Sequence, residues 1–492
     1  MNRVLSAIIL LIVCHSCKKE ATEISIINHY EQLSKNQLLE DFNLFQSIYQ
    51  DANAGLYKYH PKAKIDSLFL STKQKITTNT SYRDFYNILW DVIDFTGSCH
   101  NELTYPNVLD SVLSNQKIFF PIPIKYIQGK LYTNGIYKDI PLGSEIMAVN
   151  TIKALDFISK VARYTSTDGF NMSGKYAFLN TSFMPFYTYL ALGPQDEFKI
   201  KFKTQNRIKE TLVTSNTYNH FSANYSQRYS KKHEQRKKQD YTYKYIDSLK
   251  SGYLSVKTFA MGGPKSEGHK KYATFLDSVF SNLKTQKITK LIVDVRGNGG
   301  GNDPNDLLLY SYLTSRNFRE NTSAYTLFQN IPFSEYYIDD DIDQLPIDLK
   351  KEHSIFKDDR YYQNTTNNKQ WAPKTNAFQG DLIVLIDPFV ASAGSLFASL
   401  VKSDAKPVLI GEETLGGYYG HTGHIPVNYQ LPNSKLTLTF SIVDLEQDVT
   451  ELPDQKYGDG VKPDFKVSQS YSDFMQNVDT QLNVALEVIT AL

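Results

Sequence analysis

The chain has 492 residues, more than one hydrophobic core usually organises, so two or three domains are expected. Its 53 Lys and Arg nearly cancel its 52 Asp and Glu, which removes any global field that would hold it on nucleic acid or anionic lipid. There are 3 cysteines, two of them within the first twenty residues, so stability has to come from packing rather than from internal disulfides.

In chain order, MNRVLSAIILLIVCHSCKKE opens with Arg3 and an apolar run from Val4 to Val13, too short to cross a bilayer and suited to the core of an export signal. Ser16-Cys17 followed by Lys18 and Lys19 resembles a bacterial lipoprotein signal. That implies a signal peptide over 1–17, acylation of Cys17 and a lipid-bilayer anchor in the cell envelope, on the outer membrane or facing the periplasm or surface. Cys99 is then the one remaining thiol. Between Asn36 and Asp94, Leu38, Leu39, Phe42, Phe45, Phe85, Leu89, Val92 and Ile93 recur at helical spacing, which predicts a helical domain over 24–115. From 116 to 205 the pattern changes to short alternating strands around PLGSEIMAVN, a decamer that resembles the signature turn and strand of PDZ domains. The polar stretch 206–244, with Arg228, Lys231, Lys232, Arg236, Lys237 and Lys238, reads as a solvated linker or insertion and not as a nucleic-acid site.

From 245 onward strands alternate with helices: GYLSVKTF, a helix near Tyr272 to Leu283, KLIVDV, a helix after Pro304, DLIVLID, a helix from Ala393 to Lys402, and KPVLIG. This is the pattern of βαβ units around a mainly parallel sheet, an α/β core with chemistry at the strand ends. After KLIVDV the chain breaks into RGNGGGN. Asn302 stands where a dinucleotide fingerprint needs its last glycine, and no Gly-Lys-Ser/Thr follows, so neither a dinucleotide nor a P-loop site fits and no cofactor is expected. What remains is bare backbone whose N–H groups face a ligand, as an oxyanion hole requires. In DLIVLIDPFVASAGSLFASLVKS, Ser392 falls at a helix N-terminus, where the free amides favour developing negative charge but where a serine is also a common cap.

DVRGNGGG and ASAGSLFASLV together resemble two motifs of the C-terminal processing (tail-specific) peptidases and the tricorn core, one serine-peptidase family. GYLSVKTF, IGEETLGG and GVKPDFKV match three more of its motifs in order. The resemblance implies a ClpP/crotonase-like catalytic domain over 245–492, with Ser392 as nucleophile and peptide or unfolded protein as substrate. It also implies an oxyanion hole from the amides of Ala393 and Gly300, the latter chosen because many relatives carry Pro at the position of Gly299. Asp294 and Arg296 brace the loop. Gly417 stands where the processing peptidases keep their lysine base, so the resemblance is to tricorn-type members with a histidine. Gly97-Ser98-Cys99-His100 lies where they keep it, which makes His100 the expected base and gives the N-terminal helices a part in the site. Its acidic partner is expected near the closing motif, at Asp454, Asp459 or Glu451.

Cys99 is expected to point away from His100, as neighbours on an extended segment do, and to act as filler. His421 and His424 in GYYGHTGH are rivals for the base, or with Glu412 for a weakly signalled metal site. The expected protein is thus an exported, lipid-anchored serine endopeptidase. The alternative is a peptide-binding lipoprotein whose peptidase fold has lost its chemistry. A chain starting at Tyr245 is expected to fold and to lack its base.

Overall fold

The structure is a computed structural model that describes residues 23–233, 239–404 and 406–491. The leader with Cys17 and, from the basic run, Arg236, Lys237 and Lys238 lie outside the described residues.

The N-terminal helices form where the sequence punctuates them. Ser34 and Gln37 make a reciprocal capping box ahead of Lys35–Ala52, the Ser81 hydroxyl caps Tyr82–Thr96, and left-handed Gly97 ends that helix. Their apolar stripes do not close on one another alone. Phe42, Phe45, Tyr49 and Phe85 share one core with Tyr429, Leu438 and Phe440 of the antiparallel ribbon Gly420–Gln430 and Thr437–Gln447. The Tyr49 and Phe440 rings meet at 5.2 Å, and buried Asp41 accepts the amides of Asn433 and Ser434 at the ribbon's tip. Each such aromatic removed from water contributes about 1.5–3 kcal/mol, so the helical region and the ribbon stabilise each other. A chain starting at Tyr245 would leave that ribbon face bare, against the expectation that it folds alone.

The middle region is an antiparallel sheet in the order Ile124–Ile127, Lys130–Thr133, Glu145–Val149, Glu197–Thr204, Arg207–Thr214, with Phe157 and Val161 of the helix Ala154–Ala162 in its core. The stretch from 206 is therefore not a bare linker. Gln205 and Asn206, both at positive φ (45° and 61°), turn a tight hairpin whose second strand carries the polar residues, and the helix Tyr218–His233 follows.

The catalytic region holds a sheet in the order Phe465–Lys466, Val408–Gly411, Asp381–Ile386, Lys290–Asp294, Ser251–Val256, Tyr241–Ile246, parallel except for its last pair. Its central strands are covered on both faces, Leu291 and Val293 facing one core and Ile292 the other, which is why they read as unbroken apolar runs. A third, antiparallel sheet contains the ribbon. Its edge strand Glu102–Thr104 pairs with Thr437–Thr439, and this pairing carries the residues just before it, His100 included, to the catalytic region. No helix of the described residues is long and apolar enough to cross a membrane.

Candidate active site

The strand Lys290–Asp294 delivers the glycine turn, and Asp294 and Arg296 hold it. Arg296 donates to both Asp294 oxygens (3.0 and 2.9 Å), and Tyr253 Oη donates to Oδ2 at 2.7 Å. Burial would raise the Asp294 carboxyl, but Arg296, Lys257 and Tyr253 outweigh it and bring it down to about 2. Two glycines have steric reasons to be bare. A Cβ on Gly301 would stand 2.1 Å from the Ala260 amide, and one on Gly300 (φ 105°) would stand 2.7 Å from Ser392 Cβ. The turn lies directly against the serine.

Ser392 ends the turn after the strand Asp381–Ile386. Asp387 ties the two turns together by accepting from the Gly297 and Phe389 amides at 2.9 and 3.1 Å. The serine is not a helix cap: its side chain makes no capping bond, while Ser395 Oγ, one turn on, donates to the Ser392 carbonyl at 2.8 Å. Its backbone sits at φ 53°, ψ −131°, a region that favours glycine and costs an L-residue on the order of 1–3 kcal/mol. Backbone strain of this size, here at a partly exposed serine beside a glycine turn, is of the kind that clusters at functional sites.

The Gly97–His100 turn packs onto the serine from the other side. Left-handed Gly97 bends the chain, so Cys99 and His100 are not on an extended segment. Cys99 Sγ lies 3.5 Å from His100 Nδ1 and against the Ser392 amide. The expectation that the two side chains diverge is overturned by this turn. Their carboxylate is Asp168, fully buried, which accepts the Cys99 amide at 2.8 Å through Oδ1 and the Gly417 amide at 2.8 Å through Oδ2. Burial lowers the His100 pKa below 6.5 against the pull of Asp168, and the Thr422 carbonyl accepts from its ring. Burial also raises the Asp168 carboxyl, and burial with the Asp168 charge pushes the Cys99 thiol well up. At neutral pH the histidine is neutral and the thiol protonated.

The other sequence-predicted residues separate from this cluster. Asp459 is engaged by Lys462 and the Lys456 amide, the Asp454 carbonyl accepts from Lys462, and Glu451 is exposed; none touches His100. Asp168 takes the position expected of them. It was missed because TSTDGFN matches no motif and lies 69 residues from Cys99 and 249 from Gly417. His421 is buried behind His100, ring centroids 5.6 Å apart, with Nδ1 facing Gln447 Nε2 at 3.3 Å; burial and the neighbouring histidines keep it neutral. His424 sits between Asp303 (3.3 Å) and Glu320 (2.8 Å) instead of joining Glu412, which holds Ser468 at 2.7 Å, so the rival grouping of His421, His424 and Glu412 does not form. Burial would lower the His424 pKa, but the two carboxylates hold it well above its ordinary value.

Gly417 leaves no room for a longer residue: a Cβ there would stand 2.5 Å from the Gly420 carbonyl, beside Asp168. Among the described residues no hydrogen bond reaches Ser392 Oγ, and the Gly300 amide donates to Asn298 Oδ1 at 2.9 Å. Beside the serine turn a cleft of ≈ 1740 Å³ runs between the middle sheet and the catalytic sheet, lined by Lys125, Tyr126, Tyr176, Phe389, Glu412 and Lys466.

A turn-borne serine at a helix start, a glycine turn against it and a His-carboxylate pair on the neighbouring Gly97 turn are the kinds of parts that a serine hydrolase uses. Residues 250–467 match the model of peptidase family S41, a family of serine-type peptidases. No protein of curated function matches the chain by sequence. Among solved structures the chain is similar to mature CPAF complexed with lactacystin (14% identity, 93% of this chain and 98% of that one, TM-score 0.60) and to mature CPAF alone (14%, 93% and 96%, TM-score 0.59). At that identity the likeness is one of fold.

Proposed function

We propose that this protein hydrolyses peptide bonds through an acyl-enzyme on Ser392, with His100 as general base. The observation that carries the reading is the strained Ser392 backbone wedged between the glycine turn and the Cys99–His100–Asp168 cluster. A serine hydroxyl needs a base, and the half-buried His100 imidazole, which stays neutral at pH 7, has the chemistry for it. Asp168 orients it through Cys99, whose thiol lies between the carboxylate and His100 Nδ1. The oxyanion hole combines the Ala393 amide with that of Gly300, which a bound carbonyl takes over from Asn298. A peptide lies in the cleft, where Ile124–Ile127 and Phe465–Lys466 are outer strands of their sheets and offer main-chain pairing. The middle sheet then acts as a PDZ-like module, and Cys17 carries the lipid anchor in a bacterial envelope.

The second reading, a peptide-binding lipoprotein without turnover, is favoured by the unbonded Ser392 hydroxyl and the occupied Gly300 amide. Hydrolysis of an unfolded protein substrate, with loss in Ser392→Ala but not in Ser395→Ala, supports the first; binding without turnover supports the second. Mass spectrometry of the N-terminus tests the anchor, and an unmodified Cys17 in the mature chain contradicts it.

A further inference from the structure

We propose that Cys99, His100 and Asp168 form a binding site for one zinc-like divalent metal ion, and that the metal there shuts the peptidase off. One ligand atom from each of the three lies within 4.8 Å of the others. Ligands held at about 2.0–2.3 Å around tetrahedral zinc sit roughly 3.5 Å apart. The Cys99 Sγ to His100 Nδ1 separation is 3.5 Å, so that pair already has the spacing.

The donor set is a thiolate, an imidazole and a carboxylate, the ligand types that zinc takes. The ion with one thiolate and one carboxylate is neutral overall, which suits a buried position. The supports are in place as well. The Thr422 carbonyl accepts from the His100 ring, the kind of outer contact that orients a ligating histidine. Asp168 is held by two amides, one on each oxygen, and each oxygen keeps a second lone pair for a metal. Asp168 is fully buried while Cys99 and His100 are only half-buried, so the side of the cluster that solvent reaches is the Cys99–His100 side. Binding releases the thiol proton to solvent and occupies His100 beside Ser392. The binding stands apart from the peptidase reading; only its consequence for Ser392 rests on it.

The test uses the full chain with Cys14→Ser and Cys17→Ser, so that Cys99 is the one thiol among the 3 cysteines. Titration with Co²⁺ is expected to saturate at one equivalent with a thiolate-to-cobalt charge-transfer band. The band is lost in Cys99→Ser, and binding weakens by about 10-fold or more there and in His100→Ala. Ser392→Ala keeps the band whether or not the protein is a peptidase. Without relying on any variant's folding, Zn²⁺ is expected to slow alkylation of Cys99 by iodoacetamide at least as much. Cobalt bound without a thiolate band, as at Asp303, Glu320 and His424, or alkylation unchanged by Zn²⁺, overturns the site. A band with undiminished fluorophosphonate labelling of Ser392 overturns the shut-off.

Discussion

Replacing Ser392 separates a nucleophile from a helix cap. A capping serine loses about 1 kcal/mol of stability on going to Ala and a few tenths on going to Gly. The structure gives Ser392 no capping bond, so Ser392→Ala removes a hydroxyl with no described partner and changes stability by less than about 0.5 kcal/mol. Ser392→Gly also relieves the backbone at φ 53°, ψ −131°, a strain of about 1–3 kcal/mol, against about 0.4–1 kcal/mol of added freedom in the unfolded chain. The net expectation is a gain of roughly 0–2.6 kcal/mol for Gly, from the difference of those two ranges, with about 1.3 kcal/mol at their midpoints. The assay is urea denaturation followed by the fluorescence of the 2 tryptophans, Trp90 in the helical core and Trp371, which pairs with Phe318. Both variants should be inactive, with Gly unfolding at higher urea than the parent. Ser392→Ala destabilised by about 1 kcal/mol, with Gly also below the parent, would refute the strain argument and return Ser392 to the role of a cap.

Gly299→Pro should keep activity, because a Cβ there meets nothing within 4 Å and the proposed donor is Gly300, whereas Gly300→Ala should abolish it by pushing a methyl to within 2.7 Å of Ser392 Cβ. Steady-state hydrolysis by both variants checks this pair. The acid limb of kcat/KM should fall below pH 6.5, since burial depresses His100 and only its neutral form takes a proton; a limb above 6.5 contradicts that base. Asp168→Asn should lower kcat/KM about 10²-fold or more and move the limb further down, because the carboxylate is what supports the protonated ring. A chain starting at Tyr245 should aggregate on refolding, having lost the helices that cover Tyr429 and Phe440.

The parallel strands, the helix that starts after Ser392 and the glycine turn were legible because each is local: an apolar run, a cap-like serine, a cluster of bare backbone. Asp168 was not, because only the folded chain brings the 168–170 loop between the Gly97 turn and Gly417. The Cys99–His100 contact was misread because left-handed Gly97 converts an apparently extended tetrapeptide into a turn. The hairpin at Gln205-Asn206 hid within a polar stretch, where positive φ at both residues outweighed the impression of a linker. The shared core was invisible for a similar reason, since the stripe of Phe42, Phe45 and Tyr49 does not reveal that its partner lies almost four hundred residues on.

The most direct measurement is fluorophosphonate labelling followed by peptide mapping, on the parent and on His100→Ala and His421→Ala. One adduct is expected, on Ser392, lost in His100→Ala and retained in His421→Ala. An unlabelled parent, an adduct on Ser395, or a Ser392 adduct that survives His100→Ala and disappears in His421→Ala would contradict it.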